Sequence, residues 1–173
     1  MSNDTWDETA ADGTARGQAA WQDDAVWAEV VRRVDSHAYM GGAERTIERI
    51  VASAEVFTPT ALVVEMLRTQ PYGTFGPGKT VLDPACGDGQ FLVAAKWVKV
   101  LLHGMSEQQA LADLYGVDIM RDNVDICRRR LGGGTIMMGD TLNPTAHLDG
   151  QTDDDRRLMV QLFAPPLMGD LFA

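Results

Sequence analysis

The chain is short of cysteine, of tyrosine and of basic charge, and it has no long apolar run. Its two cysteines, Cys86 and Cys127, have no metal-ligand spacing, so no metal site is expected. Cys86 lies inside a glycine-rich turn where a disulfide would be awkward, and a reduced, cytoplasmic protein is the simplest reading. No apolar stretch approaches the roughly 20 residues that span a bilayer, which excludes a membrane helix. The Asp-rich amino terminus has no basic segment followed by an apolar core, which argues against a secretory signal. Lys and Arg number 15 against 25 Asp and Glu, a net charge of −10, and no basic stripe able to neutralise phosphates is visible. Much of this acidity lies at the ends. Residues 1–24 hold six acids and Arg16, and residues 149–173 hold five acids with Arg156 and Arg157. DNA binding by this chain alone is therefore expected to be weak and to need a partner.

What is present is an ordinary globular composition, 45% hydrophobic and 23% charged, in a chain of one-domain length. Residues 1–24, rich in Asp, Ala, Gly and Thr without sustained period, read as a flexible acidic tail. From Asp24 the apolar residues Val26, Trp27, Val30, Val31 and Val34 recur at helical steps. A second helix is expected from Ala43 to Ala54, completing an N-terminal helical segment over 25–54. A third follows Thr58-Pro59, with Thr58 as N-cap and Pro59 in the first helical position.

Residues 55–148 then alternate strand and helix. Strands are expected at Thr80–Leu82, Leu114–Val117 and Thr135–Met138. Helices are expected at Gln90–His103, Ser106–Asp113 and Arg121–Leu131, the last ended by Gly132-Gly133-Gly134. This order implies an α/β fold with a parallel sheet and right-handed crossovers. Residues 149–173 read as an acidic loop and C-terminal tail, with a short amphipathic segment at Leu158, Val160, Leu162 and Phe163.

The chemistry concentrates in Asp83-Pro84-Ala85-Cys86-Gly87-Asp88-Gly89-Gln90-Phe91, where a strand ends and a helix begins. Glycines there let the backbone turn sharply and approach a ligand without a Cβ in the way. Amides at the helix N-terminus bind an anionic group such as a carboxylate. Asp83, at the carboxyl end of the strand, is placed to accept from a ligand ammonium. A dinucleotide fingerprint would require Gly-x-Gly-x-x-Gly, and here Phe91-Leu92 follow Gly87-x-Gly89 instead.

Asp83 to Phe91 resembles motif I of the S-adenosylmethionine-dependent DNA methyltransferases, in the form typical of the amino-methylating, adenine-N6 enzymes. The resemblance covers about residues 50–145 and implies a Rossmann-like methyltransferase fold, truncated to its cofactor-binding half. It also implies that Asp83, Ala85, Cys86, Gly87, Gly89 and Phe91 would contribute to an S-adenosylmethionine site. Glu55-Val56-Phe57-Thr58-Pro59 resembles motif X, which implies that Phe57 and Thr58 border the methionine end of the cofactor.

Tyr115-Gly116-Val117-Asp118-Ile119 resembles motif II, which implies that Asp118 accepts the ribose hydroxyls and Ile119 packs on the adenine. Taken alone, Asp118 serves equally as a helix N-cap. Gly139-Asp140-Thr141-Leu142 resembles motif III, which implies that Asp140 and Thr141 meet the adenine amino group, although Gly-Asp is also a common loop pair.

The family's fourth motif, Asn/Asp/Ser-Pro-Pro-Tyr/Phe, would hold the target base, and it has no good match here. The nearest string, Ala164-Pro165-Pro166-Leu167, lacks both the polar side chain and the aromatic ring. No catalytic residue is assigned. Two readings follow: a DNA methyltransferase whose catalysis needs a partner or an atypical site, and a non-catalytic, phage-encoded module that binds the cofactor or regulates. A truncated sheet leaves an open edge, which predicts a homo-oligomer or a catalytic or specificity subunit as partner. Asp170-Leu171-Phe172 resembles the peptides that dock on bacterial sliding clamps. The alternative is an apolar tail tucked onto the core or onto a second subunit.

Overall fold

The computed structural model describes residues 8–37 and 58–163. Phe57, the helix expected over 43–54, the Ala164–Leu167 string and Asp170-Leu171-Phe172 lie outside the described residues. In chain order the elements are α1 (Glu8–Trp21), α2 (Asp24–Ser36), α3 (Thr60–Arg68), a 3-10 turn at Tyr72–Phe75 and β1 (Val81–Asp83). These are followed by α4 (Gln90–His103), α5 (Glu107–Ala112), β2 (Leu114–Asp118), α6 (Arg121–Leu131), β3 (Thr135–Met138) and α7 (Asp153–Phe163).

The three strands form one parallel sheet in the order β1-β2-β3. Val81 sits opposite Leu114, and Asp118 opposite Met138. The sheet is the α/β arrangement expected from the alternation of elements.

Side-chain alternation along the strands divides the core in two. Leu114, Ile136 and Met138 face one way and join Leu92, Val93, Val98, Val124 and Leu131 in the main core, under α4 and α6. Val117 and Met137 face the other way and meet Met159 of α7, with Leu158, Leu162 and Phe163 packed beside them. The sheet therefore carries helices on both faces, and the carboxyl ends of all three strands share one rim.

Two expectations about the ends are corrected. Residues 8–21 form a helix rather than lying in a structureless tail. Its anchor is Trp21, which is buried and meets Trp27 edge-on at 4.9 Å and Tyr72 at 5.7 Å, while the Trp27 indole donates to the Trp21 carbonyl at 2.8 Å. Tertiary packing of one large aromatic makes this helix, since its small residues carry little apolar period of their own.

At the other end, residues 153–163 form a helix where a loop and tail were expected. Thr152 and Asp155 cap it reciprocally: the Asp155 amide donates to the Thr152 hydroxyl at 3.1 Å, and the Thr152 amide to the Asp155 carboxylate at 3.1 Å. The third helix also starts one residue later than expected. Pro59, with ψ 145°, is the cap residue, and its carbonyl receives the Leu62 and Val63 amides.

Candidate functional site at the carboxyl ends of the strands

The turn from β1 into α4 has the geometry its glycines require. Gly87 and Gly89 have φ of 53° and 87°, the left-handed region that side chains resist. A Cβ on Gly89 would also stand 2.6 Å from the Cys127 sulfur. Helix α4 therefore begins against α6 with no side-chain cap, and its first amides, which have no acceptor within the helix, face the rim.

Asp118, at the end of β2, closes over this turn. Its Oδ2 accepts from the Gly87 amide at 2.9 Å, and its Oδ1 accepts from the Met120 amide at 2.8 Å and from Asn123 Nδ2 at 3.0 Å. Asp118 is not the N-cap of α6, which is Met120 without a side-chain cap bond, but from its place on the rim it fastens the entrance to that helix through the Met120 amide and Asn123. With two acceptor positions per oxygen, three of four are taken among the described residues, and the fourth is on Oδ2.

Asp83 stands on the neighbouring strand end and accepts from the Ala85 amide at 3.2 Å. Burial pushes its carboxyl above the ordinary range; the Ala85 bond pulls it partly back, and the charge of Asp118 adds to the rise. Among the described residues neither Asp83 nor Asp118 has a cationic partner. Such a pair of carboxylates at one rim favours a ligand that brings positive charge and hydrogen-bond donors.

The loop after β3 supplies the third side of the rim. Gly139 donates its amide to the Asp118 carbonyl at 3.0 Å, and the Thr141 hydroxyl donates to the Pro84 carbonyl at 3.2 Å. Asp140 accepts from the Leu142 and Asn143 amides at 2.9 and 3.2 Å, which shapes the loop. Ile119 is 51% exposed and Leu142 95%, so two large apolar side chains stand uncovered next to these polar groups.

The structure thus brings together Asp83, Ala85, Gly87, Gly89, Asp118, Asp140 and Thr141, with Ile119 beside them. Thr58 is half-buried at the start of α3, and Thr60 in the same segment accepts from Gln90 Nε2 at 2.7 Å, which ties that segment to the turn. Cys86 and Phe91 act from underneath. Phe91 packs on the main core. Cys86 is buried, its amide donates to the Val117 carbonyl at 2.8 Å, and the neighbouring Cys127 thiol, together with burial, pushes its own thiol up.

Sequence reasoning missed a supporting layer. Arg130 of α6 is buried and pairs with Asp88 inside the turn at 2.7 Å. It also donates to the Asp88 carbonyl at 3.0 Å and to Gln90 Oε1 at 2.7 Å. Asn123 was missed as well. Its signal was a polar residue on the buried side of the first turn of α6, five residues past Asp118.

A parallel sheet with a glycine turn, an uncapped helix start and acids on adjacent strand ends is a Rossmann-like arrangement consistent with a methyltransferase fold. The family model for N-6 DNA methylases matches residues 46–148, more than half of the chain, and the chain belongs to that family. No curated protein and no solved structure matches it. Among the described residues no helix is long and apolar enough to cross a membrane.

Proposed function

We propose that the chain binds S-adenosylmethionine at the β1–α4 turn and serves an adenine-N6 DNA methyltransferase whose acceptor side comes from a partner subunit or an atypical site. The observation that carries this reading is the chemical complement of the rim. Uncapped amides of α4 suit a carboxylate, and Asp83, which has no cationic partner among the described residues, suits an ammonium. Among the described residues Asp118 keeps one acceptor position, which suits a ribose hydroxyl. Exposed Ile119 offers an apolar face to a purine, next to Asp140 and Thr141. These residues fit an amino-acid nucleoside better than a dinucleotide, which brings a pyrophosphate and no ammonium.

The bound cofactor would supply a methyl group on a positively charged sulfur. The chain's own residues bind and orient: the turn fixes the amino-acid end and Asp118 the sugar. No residue of the chain is assigned to the target base, because the sequence carries no match to the fourth motif. That absence favours the second reading, a module that binds the cofactor without transferring from it. The net charge of −10 favours contact with DNA only through a partner.

Calorimetric titration with S-adenosylmethionine, run beside transfer of a tritiated methyl group to mixed-sequence DNA, tests the proposal. Binding with transfer makes the isolated chain a complete enzyme. Binding without transfer supports dependence on a partner or the binding-module reading. Absence of binding overturns the site.

A further inference from the structure

A line of side-chain hydrogen bonds joins the starts of two helices beside the β1–α4 turn. Gln90, the first residue of α4, is only 4% exposed. Its Oε1 accepts from Arg130 Nη2 at 2.7 Å, and its Nε2 donates to the Thr60 hydroxyl at 2.7 Å. Thr60 is the first residue of α3, and its hydroxyl donates to the Asp35 carboxylate of α2 at 2.8 Å. At the other end Arg130 holds Asp88 inside the turn, at its carbonyl and at its carboxylate.

The line has one direction. A Gln90 amide turned the other way would present its NH2 to the guanidinium and lose the bond to Arg130. Donation therefore runs from a cation, through an amide and a hydroxyl, to a carboxylate, and the charged ends strengthen the neutral middle.

Neither helix depends on this line to stay docked. Helix α3 buries Val63, Val64 and Leu67, and α4 buries Leu92, Val93 and Val98. Their cap residues, Pro59 and Gly89, make no side-chain cap bond. What the line adds is a fixed spacing between two helix starts whose first amides have no acceptor in their own helices.

We propose, on the basis of the cofactor site described above, that Gln90 and Thr60 are positioning residues for the amino-acid end of the ligand. They hold the start of α3 against the turn without touching the ligand themselves. A site built this way binds through the precision of its supports. Loosening the support costs affinity for the part of the ligand that the turn and the start of α3 enclose. The nucleoside part, assigned to Asp118 and Ile119 at the end of β2, does not draw on this bond.

Amide chemical-shift titrations of the full chain test this, with S-adenosylmethionine and with 5′-methylthioadenosine. The second ligand keeps the adenosine and the sulfur but lacks the carboxylate and the ammonium. Thr60→Val removes the hydroxyl from a half-buried position with little change of shape. It is expected to raise the Kd for S-adenosylmethionine by about five- to tenfold, the worth of one hydrogen bond. The Kd for 5′-methylthioadenosine should stay the same, and the melting midpoint should move by no more than about 4 °C. Thr60→Ser, which keeps the hydroxyl, is expected to retain the original affinity. In a Gln90→Met chain, Thr60→Val should add no further loss, because the bond is already gone.

An S-adenosylmethionine Kd for Thr60→Val within about twofold of the original overturns the proposal. So does an equal loss for both ligands, which a general loosening of the fold would give. Failure of the unaltered chain to bind S-adenosylmethionine overturns the cofactor site itself, and these roles with it.

Discussion

Gly89→Ala isolates the geometry of the turn. The backbone there has φ of 87°, and an Ala in the left-handed region costs roughly 1–2 kcal/mol. The added Cβ stands 2.6 Å from the sulfur of Cys127, a fully buried residue on α6, well inside the 3.5–4.0 Å of normal contact. Overpacking of this kind costs about 1–3 kcal/mol. The sum is about 3 kcal/mol, which for a chain of this size lowers the melting midpoint by roughly 6–12 °C.

Cys127→Ala removes the sulfur and separates the two parts. Alone it leaves a small cavity and costs about 1 kcal/mol. In the double variant the steric part vanishes and the conformational part stays, so a urea-denaturation cycle should give a favourable coupling of about 1–3 kcal/mol. Gly89→Ala costing less than about 0.5 kcal/mol refutes the turn geometry. A coupling near zero refutes the contact with Cys127 and leaves only the φ argument.

Four further outcomes are expected. Lys99 is fully buried and donates to the carbonyls of Phe75, Gly76 and Lys79 and to Asp113, so Lys99→Met removes these bonds, leaves the Asp113 carboxylate without its cation and should cost about 3–5 kcal/mol in urea denaturation. Asp83→Asn should raise the melting midpoint near neutral pH while weakening cofactor binding, because a carboxyl with raised pKa loses stability as pH climbs through that value; an unchanged or lower midpoint contradicts it.

For Asp155, burial pushes the carboxyl up, but hydrogen bonds from Thr152, Arg121 and the Met138 amide outweigh it and hold the group at about 2. Its stabilisation is whole above the ordinary value of 3.8 and fades as pH falls toward 2, so Asp155→Asn should flatten the acid limb of the denaturation profile. His37 accepts from the Trp97 indole at 2.9 Å and donates to the Arg130 carbonyl at 2.7 Å, and burial lowers its pKa. The stability it gives is complete above 6.5 and falls as pH drops below that, and His37→Asn should reduce the slope of melting midpoint between pH 7.5 and 5.5.

The middle of the chain was legible because each local signal agreed with the global fold. Gln90–His103 and Arg121–Leu131 had clean glycine stops at Gly104 and Gly132, both of which adopt left-handed backbone, and Thr135–Met138 was a short apolar run between turns. The ends were less legible for different reasons. In α1 the stabilising contacts are remote: Gly17 lies so close to the Tyr72 hydroxyl that a Cβ would overlap it, and nothing local announces that.

In α7 a signal existed and was overlooked. Thr152-x-x-Asp155 is a capping pair directly before the apolar steps Leu158, Met159 and Leu162. The charge of the Asp-rich stretch hid it, although Asp155 is fully buried and holds Arg121 and Arg128 at 2.5 and 2.9 Å. The rim residues were readable through the resemblance of their motifs to those of the methyltransferases. Their support, Arg130 on Asp88 across 42 positions of sequence, was not, because only the packing of α6 against the turn brings the two together.

The central claim is that the β1–α4 turn and the end of β2 form one cofactor site. Amide chemical-shift mapping with S-adenosylmethionine tests it most directly. The account predicts saturable shifts at Gly87, Gly89, Gln90, Ile119 and Met120, lost in Asp118→Ala while the rest of the spectrum stays folded. Saturable shifts confined to residues away from this rim, or an unchanged spectrum at saturating ligand, would contradict it.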